Sequence, residues 1–148
     1  MNKSELNRSP ILVRQANWNS DSRLLQKIRF NVFVLEQGVK EETEWDGLDE
    51  GSWHWLALKQ GEEAIGAARL LQTGQIGRMA VIQSHRSRGV GSALLESVLD
   101  KAPGLGFKSV FLHSQEHAIE FYKKFGFSVL GKKFLEADIK HIKMKKIF

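Results

Sequence analysis

The chain has 148 residues, the length of one domain, and its hydrophobic fraction of 42% is ordinary for a globular protein. It has no cysteine, which excludes disulfides and thiolate catalysis, and no apolar run long enough for a signal peptide or a membrane span. The net charge of +5 would suit nucleic acid, but residues 41–50 hold six acids and no base, which argues against that partner. We therefore expect a cytoplasmic protein in which residues 1–148 form a single domain, without a nucleic-acid or membrane partner.

The first half of the chain predicts a helix and four strands. Residues 1–9 are typical of a polar arm. Apolar residues at helical spacing between Leu24 and Leu35 predict a helix that ends near Gly38. Its candidate N-caps are Asn19, Ser20 and Asp21. The remaining elements are strands at 11–13, 53–58, 64–71 and 76–81, a turn at 60–63, and an acidic loop or short helix at 41–50.

The second half alternates helices and strands. A polar turn at 83–88 leads into an amphipathic helix at 90–101, which Pro103 to Gly106 interrupt. A short helix near 118–125 ends at Gly126. The strands of this half lie at 109–113, 127–130 and 139–144. Together the two halves predict an α/β domain with a mixed sheet.

The turn between the strand at 76–81 and the next helix has the features of a phosphate-binding site. The first N–H groups of a helix lack intrahelical partners and carry partial positive charge. Gly89 and Gly91 leave room for an anion beside these groups, and Arg86 and Arg88 add full charges. Leu94 occupies the place of the third glycine of a dinucleotide fingerprint, and no Gly-Lys-Ser/Thr sequence is present, so those two phosphate sites are excluded.

The chain resembles the GNAT superfamily of N-acetyltransferases, and within it a bacterial subgroup of the YjcF/ElaA type. The order of predicted elements is also that of the superfamily. Asp138 and Lys140 stand where the subgroup more often has glycine and proline. The segments that carry the resemblance are RSRGVG at 86–91, EFYKKFGF at 120–127, VFVLEQGV at 32–39 and FLEADIKHIKM at 134–144.

The resemblance implies a single-domain GNAT fold, in which a mixed, mostly antiparallel sheet with a splayed central strand pair is flanked by helices. It implies transfer of acetyl from acetyl-CoA to a primary amine, on a small molecule or a peptide, by direct attack in a ternary complex. Tyr122 is then the catalytic acid for the departing thiolate, and the alternative is a core aromatic. The implied coenzyme-binding residues are Met79, Ala80 and Val81, through their backbone, and Arg86, Ser87, Arg88, Gly89, Val90, Gly91 and Ser92.

Four features leave alternatives open. Arg86 binds phosphate or pairs with a nearby acid. The acidic segment at 41–50 is either a solvated loop or a surface that attracts a cationic acceptor. His141 and Glu136 line the acceptor cleft or protect an edge strand. Phe33 and Trp45 form an acceptor wall or pack in the core. The candidates for the general base are Glu36, Glu41, Glu42, Glu44, Asp46, His54 and His113.

Two further expectations concern partners. The scattered histidines and the lack of cysteine predict no metal site. The protein is expected to be a monomer or a homodimer. The alternative function is a non-catalytic acyl-CoA-binding sensor or interaction module, which would need neither Tyr122 nor a base.

Overall fold

The computed structural model describes residues 10–60 and 62–148, so the predicted arm at 1–9 and Gly61 of the predicted turn lie outside the described residues. The strands are β1 (Ile11–Ala16), β2 (Trp53–Lys59), β3 (Glu63–Leu70), β4 (Gln75–Val81), β5 (Ser109–Gln115), β6 (Ser128–Glu136) and β7 (Ile139–Ile147). The helices are α1 (Trp18–Arg29), continued by a π-helix (Phe30–Glu36), α2 (Glu41–Glu44), α3 (Val90–Lys101) and α4 (Ile119–Lys123). Short 3₁₀ turns lie at Gln83–His85, Ala102–Leu105 and Glu116–Ala118.

The strands form one mixed sheet in the order β1-β2-β3-β4-β5-β7-β6. Every neighbouring pair is antiparallel except β4 and β5, which are parallel. These two strands pair only at Gln75 with Phe111 and at Ile76 with Leu112, and beyond that point they separate. The expected α/β fold with a splayed central strand pair is therefore confirmed, and the splay leaves a fork in the middle of the sheet.

Each face of the sheet buries a separate apolar cluster. On one face α3 packs through Leu94 and Val98 against strand residues that include Val110 and Leu112. On the other face α1 packs through Leu25 and Ile28 against β2 and β3. The helical spacing of apolar residues predicted both buried stripes, because a helix with a continuous apolar stripe must cover it.

The start of the first helix was predicted wrongly. Its N-cap is Asn17, whose Oδ1 accepts a hydrogen bond from the Asn19 N–H at 2.9 Å. Asp21 instead accepts two hydrogen bonds from Arg14 on β1. Asn17, Asn19, Ser20 and Asp21 are all residue types that can cap a helix. Because Asn17 takes this position, the helix begins one residue later and includes Trp18.

The last two strands are longer than the sequence predicts. β6 and β7 form a hairpin of nine residues on each side, where the prediction had four and six. Lysines and other polar residues continue both strands, because an edge hairpin has an exposed face that does not require apolar residues. The extension matters for the site, because it places Glu136 and His141 beside the fork. No helix among the described residues is long and apolar enough to cross a membrane.

Candidate active site

A cleft of about 690 Å³ occupies the fork between β4 and β5. Its walls come from the free ends of these two strands, the turn before α3, the π-helix, α4 and the β6–β7 hairpin. This volume is within the range of small-molecule sites, and the cleft includes every residue from Met79 to Val81 and from Gly89 to Ser92. The fold thus gathers the predicted coenzyme-binding segments around one opening.

The turn before α3 presents an open helix N-terminus to the cleft. Gly89 is the N-cap and has a φ of +82°, a left-handed conformation that favours glycine. No side chain caps the helix, so its first N–H groups stay available to an anion. A Cβ on Gly91 would have its nearest contact, the Phe121 ring, at 3.8 Å, so this position also leaves room for a ligand.

The two arginines of this turn have different surroundings. Arg86 forms two hydrogen bonds with the Glu36 carboxylate, one of them at 2.6 Å, and a third with the Val81 carbonyl at 2.9 Å. Arg88 is exposed and makes no hydrogen bond or ion pair with any residue the structure describes. Arg86 therefore ties the turn to the π-helix, and Arg88 is the arginine whose charge is free for a phosphate.

Strand β4 has a bulge beside the cleft. Arg69 pairs with Gly77 and Ala67 pairs with Ala80, so Arg78 and Met79 together face the single residue Ala68. Arg78 has a φ of +47°, which is unusual for a residue with a side chain. The bulge bends β4 away from β5, and beyond it the edge of β4 that faces the fork has no strand partner.

The Arg78 side chain is held by the acidic segment. Its Nε lies 3.0 Å from Glu44 Oε2, and its Nη2 donates hydrogen bonds to Asp46 Oδ2 and to the Glu44 carbonyl, each at 3.1 Å. These contacts place the short helix α2 directly over the bulge. The conformation of Arg78 is thus supported by two carboxylates that lie more than thirty residues earlier in the chain.

Two further arginines complete a buried ion-pair network around the acidic segment. Arg29 donates to Glu44 at 2.8 Å and to Asp49 at 2.7 Å. Arg69 donates to Asp46 at 2.7 Å and to Asp49 at 3.0 Å. The interpretation of the segment as a solvated loop is therefore wrong for these acids, since Glu44 is only 3% exposed. Because arginines neutralise them, they also cannot provide the negative surface proposed for a cationic acceptor.

The network has opposite effects on two of its carboxyl groups. Burial raises the pKa of Glu44, and its arginine neighbours only partly offset this. Burial opposes ionisation of Asp46 as well, but the hydrogen bonds from Arg69 and the Leu48 N–H and the charges of Arg69 and Arg78 together outweigh it and lower the pKa of Asp46 to about 2. Sequence reasoning missed all three arginines. The available signal was the combination of an uncompensated acidic segment with arginines inside otherwise apolar helix and strand patterns.

Tyr122 reaches the cleft from α4. Its hydroxyl lies 3.8 Å from the Met79 sulfur on β4, and its ring packs against Phe121 and Phe127. Burial raises the pKa of Tyr122 to about 12, so the phenol keeps its proton at neutral pH. The structure therefore places a proton donor beside the free edge of β4.

The candidate general bases differ in their burial and in their hydrogen-bond partners. His54 is 1% exposed, stacks on Trp18 and has Nε2 2.8 Å from the Asp49 carbonyl, so it belongs to the core and not to the cleft. Its pKa is lowered by burial. The hydrogen bonds from Arg86 lower the pKa of Glu36. His113 lies in the cleft at the point where β5 leaves β4.

Of the aromatic and hairpin candidates for the acceptor cleft, three line it and Trp45 does not. Phe33 lines the cleft, whereas Trp45 stacks on the Arg29 guanidinium at 5.2 Å and is not part of the cleft wall. Glu136 and His141 both line the cleft. Among the described residues, no group of three or more histidines and acids is arranged to hold a metal ion.

Comparisons with known proteins place this geometry in a family. The family model described as an acetyltransferase (GNAT) domain matches residues 21–148. The uncharacterized N-acetyltransferase YjcF of Bacillus subtilis (strain 168) is 39% identical over 123 residues, or 80% of this chain and 87% of YjcF. Escherichia coli ElaA is 29% identical with a TM-score of 0.82, over 93% of this chain and 99% of ElaA. An acyl-CoA N-acyltransferase from Pseudomonas aeruginosa has the same identity, TM-score and coverage.

Proposed function

This chain belongs to the GNAT family of acetyltransferases, and we propose that it transfers the acetyl group of acetyl-CoA to a primary amine in a ternary complex. One observation carries the proposal: a single cleft joins an uncapped helix N-terminus, the free edge of β4 and a protonated tyrosine. These are the groups that must meet a pyrophosphate, a pantetheine arm and a departing thiolate.

The pyrophosphate binds at the start of α3. The N–H groups of Val90, Gly91 and Ser92 donate to its oxygens, and Ser87 and Arg88 lie beside them on the turn. Arg86 acts through its hydrogen bonds to Glu36, which hold the turn in place. This arrangement separates the predicted phosphate-binding residues into direct ligands and one that shapes the turn.

The pantetheine arm lies in the fork. Backbone groups of Met79, Ala80 and Val81 on the free edge of β4 pair with its amides, because β5 has already diverged from this edge. A backbone N–H at the bulge then polarises the thioester carbonyl as negative charge develops on its oxygen. The bulge and the splay thus have one purpose, which is to leave main-chain groups for the coenzyme.

The reaction proceeds by direct attack. The amine nitrogen forms a bond to the thioester carbon, the C–S bond breaks, and the coenzyme thiolate takes a proton from Tyr122. The proton that the attacking nitrogen loses restores the Tyr122 phenol. The products are the N-acetylated amine and free CoA. The chain has no cysteine that could carry the acetyl group as a thioester between two steps, which favours a ternary complex over a two-step exchange.

The test measures release of free CoA thiol from acetyl-CoA across a panel of amines. The panel contains a polyamine, an amino sugar and lysine-bearing peptides, and each reaction is compared with one that lacks the amine. Amine-dependent thiol release, with the acetylated amine identified by mass spectrometry, supports the proposal. Tight binding of acetyl-CoA without acetylation of any panel member would contradict it and favour the acyl-CoA sensor.

A further inference from the structure

Two histidines and one carboxylate meet on the cleft wall opposite the turn. His113 Nδ1 lies 3.2 Å from Glu136 Oε1, and His141 Nε2 lies 3.7 Å from Glu136 Oε2. The Phe134 ring packs edge-on against His113 and stacks on His141, so both imidazoles have fixed orientations. These residues come from β5, β6 and β7, and the long β6–β7 hairpin brings them together.

His113 occupies the first position of β5 beyond the last pair with β4, which joins Ile76 and Leu112. Side chains alternate along a strand, so His113 faces away from Leu112, which is buried in the cluster under α3. Gln115 shares the face of His113 and donates a hydrogen bond to Gln37 after the π-helix at 3.1 Å. The imidazole is therefore on the α1 side of the fork.

Tyr122 is on the other side. Its ring is packed against the apolar cluster that α3 covers, and its hydroxyl contacts Met79. A thioester in the fork would have the phenol on one side and the imidazole on the other. An acid beside the leaving sulfur and a base on the opposite side are what an amine attacking the carbonyl requires.

Except for His117, which is exposed on the turn after β5, the other carboxylates and imidazoles of the cleft are engaged elsewhere. Glu36 is bound by Arg86, and Glu44 is buried between Arg29 and Arg78. His85 has Nδ1 2.9 Å from the Ser84 hydroxyl, beside the turn where the pyrophosphate binds. His141 is 7% exposed, with Nδ1 2.7 Å from the Ile139 carbonyl and Nε2 towards Glu136.

We propose that His113 is the general base of the reaction and that Glu136 positions its imidazole. This inference rests on the proposed acetyl transfer. The Nδ1–H donates to Glu136, and the Gln75 amide lies 3.5 Å from the same nitrogen. The Nε2 atom has no hydrogen-bond partner among the described residues, so its lone pair is available to the acceptor.

The proton balance is as follows. An ammonium acceptor gives one proton to His113 Nε2, and its nitrogen lone pair then attacks the thioester carbon. The imidazolium later releases that proton to water. The second proton that the nitrogen loses replaces the one that Tyr122 gives to the thiolate, so both groups return to their starting states. The Glu136 carboxylate stabilises the imidazolium during this step. The other charged groups near His113 are His141 beside Glu136 and Lys143, its partner on β7, whose Nζ lies over the Phe111 ring at 4.6 Å. The same carboxylate favours cationic acceptors.

The test compares wild type with His113→Gln, and uses Lys145→Gln as the control because Lys145 is an exposed residue of β7 outside the cleft. Single-turnover acetylation of an alkylamine from the panel should fall about 10²–10⁴-fold in His113→Gln at pH 7. The deficit should close as the pH approaches about 10, where an alkylamine loses its proton without help. Lys145→Gln should retain the wild-type rate.

Thermal unfolding and acetyl-CoA affinity of each variant show whether the site stays intact. Glu136→Gln provides a second measurement, because its half-exposed side chain tolerates the change. It should reduce the single-turnover rate less than His113→Gln and shift the pH profile, whereas a merely structural role would leave the profile unchanged. A wild-type rate in folded His113→Gln would show that His113 is not the general base, but it would not contradict the proposed acetyl transfer. No acetylation by wild type would overturn both.

Discussion

Tyr122 is the residue whose chemistry the structure defines most closely. Its pKa of about 12 means that it remains a proton donor through the physiological range, and its hydroxyl is beside β4. Tyr122→Phe keeps the ring and its contacts with Phe121 and Phe127, so we expect almost unchanged stability and acetyl-CoA affinity. Single-turnover acetylation should fall about 10²–10⁴-fold, since the thiolate leaves without a proton. A wild-type single-turnover rate would identify Tyr122 as a core aromatic only.

Arg78 combines a left-handed backbone with a side chain anchored by two carboxylates. Arg78→Ala and Arg78→Gly both remove the ion pairs and leave Glu44 short of one partner, so we expect both to be less stable than wild type. Glycine adopts a φ of +47° without the steric cost that Cβ imposes, so Arg78→Gly should be more stable than Arg78→Ala by about 1–2 kcal/mol. Urea unfolding measures the difference. Equal stability of the two variants would show that the bulge is unstrained.

In the proposed coenzyme site the turn and α3 together bind the pyrophosphate, and substitutions at Gly91 can change this binding without unfolding the protein. Gly91→Ala adds only a methyl group with its nearest contact at 3.8 Å, so it serves as the control. Gly91→Asp adds a carboxylate to the first turn, where negative charge favours the helix dipole and should not reduce stability. We expect calorimetry to find acetyl-CoA binding retained in Gly91→Ala and lost in Gly91→Asp. Wild-type affinity in folded Gly91→Asp would place the pyrophosphate elsewhere.

The fork between β4 and β5 depends on elements that lie outside both strands. Helix α2 holds the bulge through Arg78, and the π-helix holds the α3 turn through Glu36. Gly66 on β3 lets α3 approach closely, because a Cβ there would come within 2.9 Å of Leu94 and 3.2 Å of the Ala80 carbonyl. The proposed coenzyme site is therefore assembled by contacts to three neighbouring elements.

The ion-pair network links α1, α2, β3 and β4, so its protonation should affect the stability of the folded protein. Asp46 has a folded pKa of about 2, below its ordinary value, and the pKa of Asp49 is also lowered by its arginines, which outweigh burial. Their contribution to stability is present above about pH 4 and is lost as the pH falls towards 2. The raised pKa of Glu44 acts in the opposite direction, since its protonation favours the folded state.

Asp46→Asn isolates one part of this pH dependence. The variant should be less stable than wild type at pH 7, because Arg69 and Arg78 each lose a charged partner. Its free energy of unfolding should then decrease less than that of wild type between pH 4 and pH 2, by about 2 kcal/mol. Urea unfolding across this range measures both slopes. Parallel slopes would mean that Asp46 titrates normally in the folded protein.

Local patterns along the chain were sufficient to predict the order of elements, the limits of α3 at Val90 and Lys101, and the uncapped turn before that helix. Apolar spacing, glycines and the start of a helix are properties of a few consecutive residues, so they can be read without the fold. The same locality explains the misplaced N-cap, because Asn17 and Asn19 both satisfy the local rule and only the packing of Trp18 separates them.

Only the tertiary structure decided which charges meet. Arg86 and Glu36 are fifty residues apart, and Arg78 meets Glu44 only when α2 packs over β4. The splay of β4 from β5, the bulge and the meeting of His113 with Glu136 likewise depend on strand pairing between distant segments. Ion pairs and strand register depend on which distant surfaces of the chain are buried against each other. A pattern of a few consecutive residues does not determine this.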